Sequence, residues 1–235
     1  VVAIKEDKKE MIAKLEEAFV ESGVEIKTVP DVYPMGYERT LAYQLTKKNY
    51  DRLPSEIGLI VNNANTAIAL GKALVTGMPI THKYVTVSGD AVKKPQTVYV
   101  PVGTISGELL KAVGGVKEGI EDILMINGGP MMGRAIPNNQ WSISQSTNGV
   151  TVMRHIKEEA INCLRCGACV DHCPMGLEPV RIADEHKVVD YDHLVKLRVT
   201  DCIECGLCTY VCPSKIDMTE KMRRAKTFVG AKMKA

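Results

Sequence analysis

Long apolar runs and aromatic residues are scarce in this sequence. Its 235 residues include one Trp and two Phe, and no apolar stretch approaches the roughly 18 residues that cross a bilayer. We therefore expect no transmembrane segment. An excess of charge is also lacking, since 30 Lys and Arg stand against 28 Asp and Glu. This near balance gives no support to a nucleic acid partner.

Cysteine is absent from the first two thirds of the chain. All eight cysteines lie between Cys163 and Cys212, whereas a disulfide scaffold spreads its bridges through the fold. The cysteines therefore serve one local site, and thiol ligands favour a reducing, cytoplasmic compartment. No signal peptide leads the sequence, and residue 1 is Val rather than Met. We expect that the chain begins partway through a larger polypeptide.

The first 80 residues predict an α/β domain with a mostly parallel sheet, because strand and helix patterns alternate there. Asp7 and Glu10 have the spacing of a capping box, so Asp7 is expected to cap the first helix. Further elements follow the same alternation. Strands are predicted over residues 1–4, 24–29 and 57–61, and helices near 8–22, 38–47 and 66–76.

Residues 81–126 predict a small β-rich domain. Runs of β-branched residues at 84–87 and 98–102 flank turn signals, and a short helix and one more strand follow at 106–113 and 123–126. Residues 127–160 are rich in Gly, Asn, Ser and Pro, which favours a linker, with Trp141 as a buried packing anchor.

An internal repeat carries the chemistry. Residues 163–174 and 202–213, 39 positions apart, both have the spacing C-x2-C-x2-C-x3-C-P, which is typical of bacterial ferredoxins. In that motif three thiolates bind one cluster and the fourth reaches the other cluster. Two 4Fe-4S clusters are therefore predicted. Their ligand sets are Cys163, Cys166, Cys169 and Cys212 for one, and Cys202, Cys205, Cys208 and Cys173 for the other.

Structural zinc is the alternative interpretation of paired C-x2-C motifs. A third cysteine in each copy and a fourth before proline exceed what a zinc knuckle needs. His172 is expected to be a solvent-facing helix residue rather than a ligand. Basic residues after the second motif offset cluster charge, dock an acidic partner or simply face solvent; they are Lys215, Lys221, Arg223 and Arg224.

At these motifs the sequence resembles the C subunit of the Rnf complex, a membrane-bound ferredoxin:NAD oxidoreductase. The resemblance is carried by Cys-Leu-Arg-Cys-Gly at 163–167, Cys-Pro-Met-Gly-Leu at 173–177 and Cys-Ile-Glu-Cys-Gly at 202–206. It extends to Gly-Gly-Pro-Met-Met-Gly at 128–133 and to the β-rich region. It implies the C-terminal part of an FMN- and NADH-binding α/β domain (1–80), a β-grasp domain of the SLBB type (81–126), a linker (127–160) and a helical two-cluster ferredoxin domain (161–235).

Two upstream stretches resemble the flavin-binding segments of this family and of the NADH-binding subunit of respiratory complex I. The resemblance implies that Tyr33, Gly36 and Glu38 line an FMN and nicotinamide pocket. Further residues, implied to approach the isoalloxazine ring and phosphate, are Val61, Asn62, Asn63 and Thr66. A helix N-terminus suits such a phosphate. The family's glycine-rich nucleotide loop is not within these 235 residues, so only part of the flavin site is expected here.

The resemblance implies an oxidoreductase subunit that passes electrons between NAD(H), FMN and two 4Fe-4S clusters, and indirectly to or from ferredoxin. It would lie peripherally on the cytoplasmic side of the cell membrane, with the complex's other membrane subunits as partners. No catalytic side chain is expected, because the protein holds the carriers and tunes them. Related soluble carriers, such as a cobalamin reductase or a partner of an amino-acid reductase, share the architecture. A scaffold with two structural zinc sites is the alternative of another class.

Overall fold

The computed structural model describes residues 1–233. The chain divides into two compact units, one comprising Val1–Ala67 and a second beginning at Ile68. Among the described residues no helix is both long and apolar enough to cross a bilayer.

The first unit is built on a β-α-β arrangement. Strand β1 (Val2–Lys5) is followed by helix α1 (Lys9–Phe19) and strand β2 (Ile26–Val29). The two strands pair in parallel, with Val2 opposite Ile26, because the intervening helix returns the chain to the same end of the sheet. Helix α2 (Glu38–Thr46) comes next. The predicted α/β class with parallel pairing is confirmed.

Two local predictions in this unit are wrong. Lys8, not Asp7, is the residue that precedes α1, and it makes no capping hydrogen bond through its side chain; the Asp7 carboxylate instead pairs with the Lys8 ammonium. Residues 57–61 are not a strand. A 3-10 turn over Pro54–Ile57 occupies the start of that stretch, and Ile60 is 84% exposed.

The side chain of Glu56 explains why a turn forms at this point. Its carboxylate accepts hydrogen bonds from the backbone N–H groups of Asp51, Arg52 and Leu53 at 2.9–3.0 Å. Gly58 then ends the turn with a φ of 74°, a conformation that glycine adopts without steric cost. Local hydrogen bonding therefore overrides the apolar character of residues 57–61.

Helix α3 (Ala64–Thr76) spans the division between the two units. It confirms the helix predicted over residues 66–76. Every one of its side chains is exposed or half-buried, although the helix is rich in Ala and Leu.

The second unit begins with a five-stranded mixed sheet. Its elements are β3 (His82–Ser88), β4 (Gln96–Pro101), α4 (Ser106–Ala112), β5 (Ile123–Asn127), β6 (Arg134–Ala135) and β7 (Gly149–Arg154). The strand order is β4-β3-β7-β5-β6; β3 and β7 are parallel, and the other pairs are antiparallel. Val85, Leu109 and Val152 lie in its core at 0–1% exposure. Trp141 packs against this core, as predicted, but it is half-buried rather than buried.

The stretch predicted as a linker, residues 127–160, contributes β6 and β7 to this sheet. Strand β7 lies between β3 and β5, so it is central rather than connecting. Its residues Val150, Thr151 and Val152 are buried. Because these three consecutive residues are all buried, the strand lacks the alternation of apolar and polar residues that marks a half-buried strand, and the surrounding Gly, Asn and Ser concealed it from the sequence pattern.

The C-terminal part of the second unit is helical. It contains α5 (Ala168–Asp171), α6 (Pro179–Lys187), α7 (Tyr191–Lys196), a 3-10 turn (Val199–Asp201), α8 (Leu207–Tyr210) and α9 (Met218–Lys232). Its own apolar core includes Ile182, Leu194 and Met222, each at most 1% exposed. Helices α5 and α6 of the first cysteine repeat correspond in order to α8 and α9 of the second. The sequence repeat is therefore also a structural repeat.

Candidate functional site

Backbone conformation shapes both cysteine loops in the same way. Arg165 and Glu204 occupy equivalent positions in the two motifs, and their φ values are 55° and 54°. Gly167 and Gly206 follow with φ values of 81° and 83°. Two left-handed residues in a span of three turn each loop tightly, and each loop then enters a one-turn helix that carries the third cysteine.

Backbone amides point at the cysteine sulfurs. The N–H of Arg165 donates to Cys163 Sγ at 3.4 Å, and the N–H of Glu204 donates to Cys202 Sγ at the same distance. The N–H of Leu177 donates to Cys173 Sγ at 3.3 Å. Such hydrogen bonds stabilise negative charge on sulfur, which is what thiolate ligation requires.

The eight cysteines surround two separate cavities. One cavity is lined by Cys163, Cys166, Cys169 and Cys212. The other is lined by Cys173, Cys202, Cys205 and Cys208. Each cavity thus combines three sulfurs of one motif with the fourth of the other motif, which is the grouping that crossed ligation requires. Four thiols per cavity fit a 4Fe-4S cluster, and they also satisfy the coordination number of zinc.

The two cavities differ in exposure. Cys163 and Cys166 are exposed to solvent, whereas Cys205 is buried and Cys202 and Cys208 are half-buried. Burial raises the pKa of Cys208 to about 12, against an opposing hydrogen bond with Thr219. Burial also raises the pKa values of Cys202 and Cys205. These thiols hold their protons at neutral pH without metal, so ligation must displace those protons.

His172, Lys215 and Arg224, near the cysteine motifs, make local polar contacts. The His172 ring is exposed and its Nδ1 lies 2.9 Å from the carbonyl oxygen of Ala168, which agrees with its expected place on the surface. Lys215 pairs with Glu158 at 3.0 Å, and Arg224 pairs with Glu220 at 2.8 Å.

Arg223 of helix α9 contacts the second cysteine motif. Its side chain is 18% exposed and pairs with Glu204, inside the second motif, at 3.0 Å. Sequence reasoning named Arg223 but missed Glu204 and Lys226, which also contacts this motif. The signal that could have found them is the 39-residue repeat, which continues past the prolines.

The residues implied in flavin binding lie in two segments of the first unit. Tyr33 and Gly36 belong to the loop between β2 and α2, and Glu38 opens α2 and accepts a hydrogen bond from the Tyr50 hydroxyl at 3.3 Å. The second segment, which leads into α3, contains Val61, Asn62, Asn63 and Thr66.

The second segment has the character of a helix cap. Asn63 Oδ1 accepts a hydrogen bond from the N–H of Asn65 at 2.9 Å, and the Asn63 carbonyl accepts one from the N–H of Thr66 at 2.9 Å. The amides and hydroxyls of both segments fit the polar edge and phosphate of FMN in chemical type. Glu38 and Val61 are half-buried and the other five residues are exposed. A cofactor pocket normally encloses most of its ligand. These seven residues alone are too exposed to enclose a flavin.

Three protein-family models match the chain in sequence order. The Nuo51 FMN-binding domain matches residues 1–72, the SLBB domain matches residues 84–135, and the 4Fe-4S dicluster domain matches residues 147–216. This order confirms the predicted fold class. It also supports FMN and two 4Fe-4S clusters as the cofactors to which the chain's domains are suited.

Three curated relatives are C subunits of ion-translocating oxidoreductase complexes. The C subunit of the proton-translocating ferredoxin:NAD(+) oxidoreductase complex of Clostridium ljungdahlii is 33% identical over 76% of this chain and 40% of the relative. The C subunit of the ion-translocating oxidoreductase complex of Vibrio cholerae is 34% identical over 84% of the chain and 26% of its own length. The C subunit of the Na(+)-translocating ferredoxin:NAD(+) oxidoreductase complex of Acetobacterium woodii is 31% identical over 78% of the chain and 42% of its length.

The chain therefore spans between about a quarter and about two fifths of the length of these relatives. The domain order and the relatives agree with the resemblance carried by the cysteine motifs. This chain is related to the C subunits of the ion-translocating ferredoxin:NAD oxidoreductase complexes.

Proposed function

We propose that this chain is an electron-transfer component of an ion-translocating ferredoxin:NAD oxidoreductase complex. It passes electrons between NAD(H) and FMN on one side and two 4Fe-4S clusters on the other. The observation that carries this proposal is the pair of cavities, each lined by four cysteines drawn from both motifs. A match to a 4Fe-4S dicluster domain over the same residues supports it.

The chain's own residues would hold and tune the carriers. A bound 4Fe-4S cluster supplies one-electron chemistry, and bound FMN supplies the exchange between electron pairs and single electrons. The eight cysteine sulfurs provide the ligands. The N–H groups of Arg165, Glu204 and Leu177 stabilise charge on three of those sulfurs. The cysteines of the second motif are less exposed than Cys163 and Cys166, and partial burial strengthens the electrostatic interactions of a charged group.

The second part of the proposal concerns the position of the chain within an assembly. We propose that it lies peripherally on the cytoplasmic side of the membrane and contacts the other subunits of the complex. NAD(H) is its small-molecule partner, and ferredoxin exchanges electrons with it indirectly. The names of these relatives, all of them complex subunits, support a place among the subunits of such a complex.

Anaerobic purification tests the central claim. We expect a brown protein that dithionite bleaches, with roughly eight irons per chain. A colourless protein loaded with about two zinc ions would instead support the structural zinc scaffold. Affinity purification from solubilised membranes separates the remaining alternatives: recovery of membrane subunits is expected, whereas recovery of soluble enzymes alone would favour a related soluble carrier.

Substitution of single cysteines tests the ligand sets. Cys205→Ser and Cys173→Ser belong to the same proposed set although they lie in different motifs, so each should remove the same cluster signal from the electron paramagnetic resonance spectrum. Cys166→Ser is the matched comparison and should remove the other signal. If Cys173→Ser and Cys166→Ser remove the same signal, the crossed assignment is wrong.

A further inference from the structure

The internal repeat continues beyond the cysteines into the helices that follow them. A shift of 39 positions aligns Arg165 with Glu204, Asp184 with Arg223, and Lys187 with Lys226. In each half these residues form an ion triad between the cysteine loop and the next long helix. The charges of the loop residue and of its first helix partner are reversed between the two halves.

The triad of the first half lies at the surface. Arg165 Nη2 pairs with Asp184 Oδ2 at 2.8 Å, and Lys187 Nζ pairs with Asp184 Oδ1 at 2.9 Å. The side chains of Arg165 and Lys187 are 63% and 65% exposed. Solvent screens charges at this exposure, so their influence on the nearby cavity is small.

The triad of the second half lies deeper and contacts the backbone of the site. Arg223 Nε pairs with Glu204 Oε2 at 3.0 Å, and Lys226 Nζ lies 3.4 Å from Glu204 Oε1. Lys226 also donates a hydrogen bond to the carbonyl oxygen of Cys202 at 2.6 Å. Arg223 Nη2 donates to the carbonyl oxygen of Met132 at 2.9 Å, which connects the helix to the segment between β5 and β6.

We propose that Lys226 is a positioning residue that raises the reduction potential of the cluster held by Cys173, Cys202, Cys205 and Cys208. Its ammonium group fixes the Cys202 carbonyl and places a partly buried positive charge beside the ligand loop. Reduction adds negative charge to a cluster, and a nearby cation in a medium of low dielectric stabilises that charge. Glu204 acts in the opposite direction, because its carboxylate offsets the charges of Lys226 and Arg223. This inference rests on the proposed function.

The experiment is a redox titration of the anaerobically purified, iron-loaded protein, followed by electron paramagnetic resonance. The signal of the second-motif cluster is identified by its loss in Cys205→Ser. Lys226→Met should lower the midpoint of this signal, and Lys226→Arg should return it toward the original value. Glu204→Gln should raise it. Lys187→Met, at the equivalent position of the first repeat, is the matched control and should leave the midpoint of the first-motif cluster almost unchanged.

Opposite shifts from Lys226→Met and Glu204→Gln are the outcome that a merely structural role would not produce. The proposal is overturned if both variants keep their iron and the midpoint does not move, or if both move it in the same direction. It is also overturned if Lys187→Met shifts its cluster as strongly as Lys226→Met does. If Lys226→Met loses its iron, the Glu204→Gln variant tests the proposal: a raised midpoint supports it, and an unchanged or lowered midpoint overturns it. An unmodified protein without iron would instead refute the proposed function itself.

Discussion

Alanine substitution at Gly206, compared with Gly167, tests how closely the second cysteine loop is packed. Both glycines have nearly the same φ, 83° and 81°, so an alanine at either position meets the same left-handed backbone strain. A Cβ at Gly206 would overlap the carbonyl oxygen of Met131, whereas a Cβ at Gly167 meets only the Asp171 carboxylate at 4.0 Å. The pair therefore separates backbone strain from steric contact.

The expected losses of stability follow from the backbone strain and the steric contact. The left-handed conformation costs an alanine about 1–2 kcal/mol at either position. At Gly206 the Met131 carbonyl must also move, and overpacking of this kind adds about 1–3 kcal/mol. Gly167→Ala should therefore lower the free energy of unfolding by about 1–2 kcal/mol, and Gly206→Ala by about 2–5 kcal/mol.

The assay is urea unfolding under anaerobic conditions, followed by circular dichroism and by the visible absorbance expected of bound clusters. The comparison uses the difference in midpoint between the two variants, since cluster loss makes absolute free energies ill-defined. We expect Gly206→Ala to unfold at the lower urea concentration. Equal midpoints would refute the reasoning, because they would mean that the contact with Met131 imposes no constraint.

Three further predictions concern the rest of the chain. Leu109 lies in the core of the sheet at 1% exposure, so Leu109→Ala should lower the free energy of unfolding in urea by about 2–5 kcal/mol. Leu70 is 60% exposed, and Leu70→Ala should change that free energy by less than about 0.5 kcal/mol. Similar losses in the two variants would contradict the assigned core. Backbone hydrogen bonds from Leu53, Asp51 and Arg52 lower the pKa of the Glu56 carboxyl below 4.5. Its contribution to the stability of the fold is therefore present above pH 4.5 and is lost as the pH falls through the lowered pKa. Glu56→Gln should flatten this acid dependence of unfolding, and an unchanged dependence would contradict the role assigned to Glu56. Burial lowers the pKa of the Lys83 ammonium below 10.5, so the stability of the fold should rise with pH between the lowered pKa and 10.5. Lys83→Met should abolish this rise. A rise of the same size in the variant would show that Lys83 is not its source.

The cysteine site was predictable from sequence because the chemistry fixes the spacing. Three thiols must reach one cavity within seven residues, so the motif at 163–174 and its copy at 202–213 leave few alternative structures. The α/β pattern of the first unit and most strands of the sheet were predictable too, since apolar periodicity reports on local burial. Local periodicity was sufficient to predict a helix or strand wherever the element that it packs against or pairs with lay close in sequence.

The failures have a common physical cause, which is dependence on contacts that the local pattern does not show. Strand β7 is recognisable only through its pairing with β5 and with β3, and β3 lies more than 60 positions earlier in the chain. Residues 57–61 look like a strand, but the Glu56 carboxylate holds the preceding loop in a turn. Lys226 resembles any lysine on a helix surface until its contact with the Cys202 carbonyl is seen.

The sharing of cysteines between cavities makes the two halves of the helical region dependent on each other. A cut between Cys173 and Cys202 would leave the first fragment with three sulfurs for one cavity and a single sulfur for the other, and the second fragment with the complementary shortage. Neither piece could surround even one cluster with four sulfurs. The two copies of the repeat therefore form one module rather than two independent ones, because loss of a whole half leaves both cavities short of sulfur ligands.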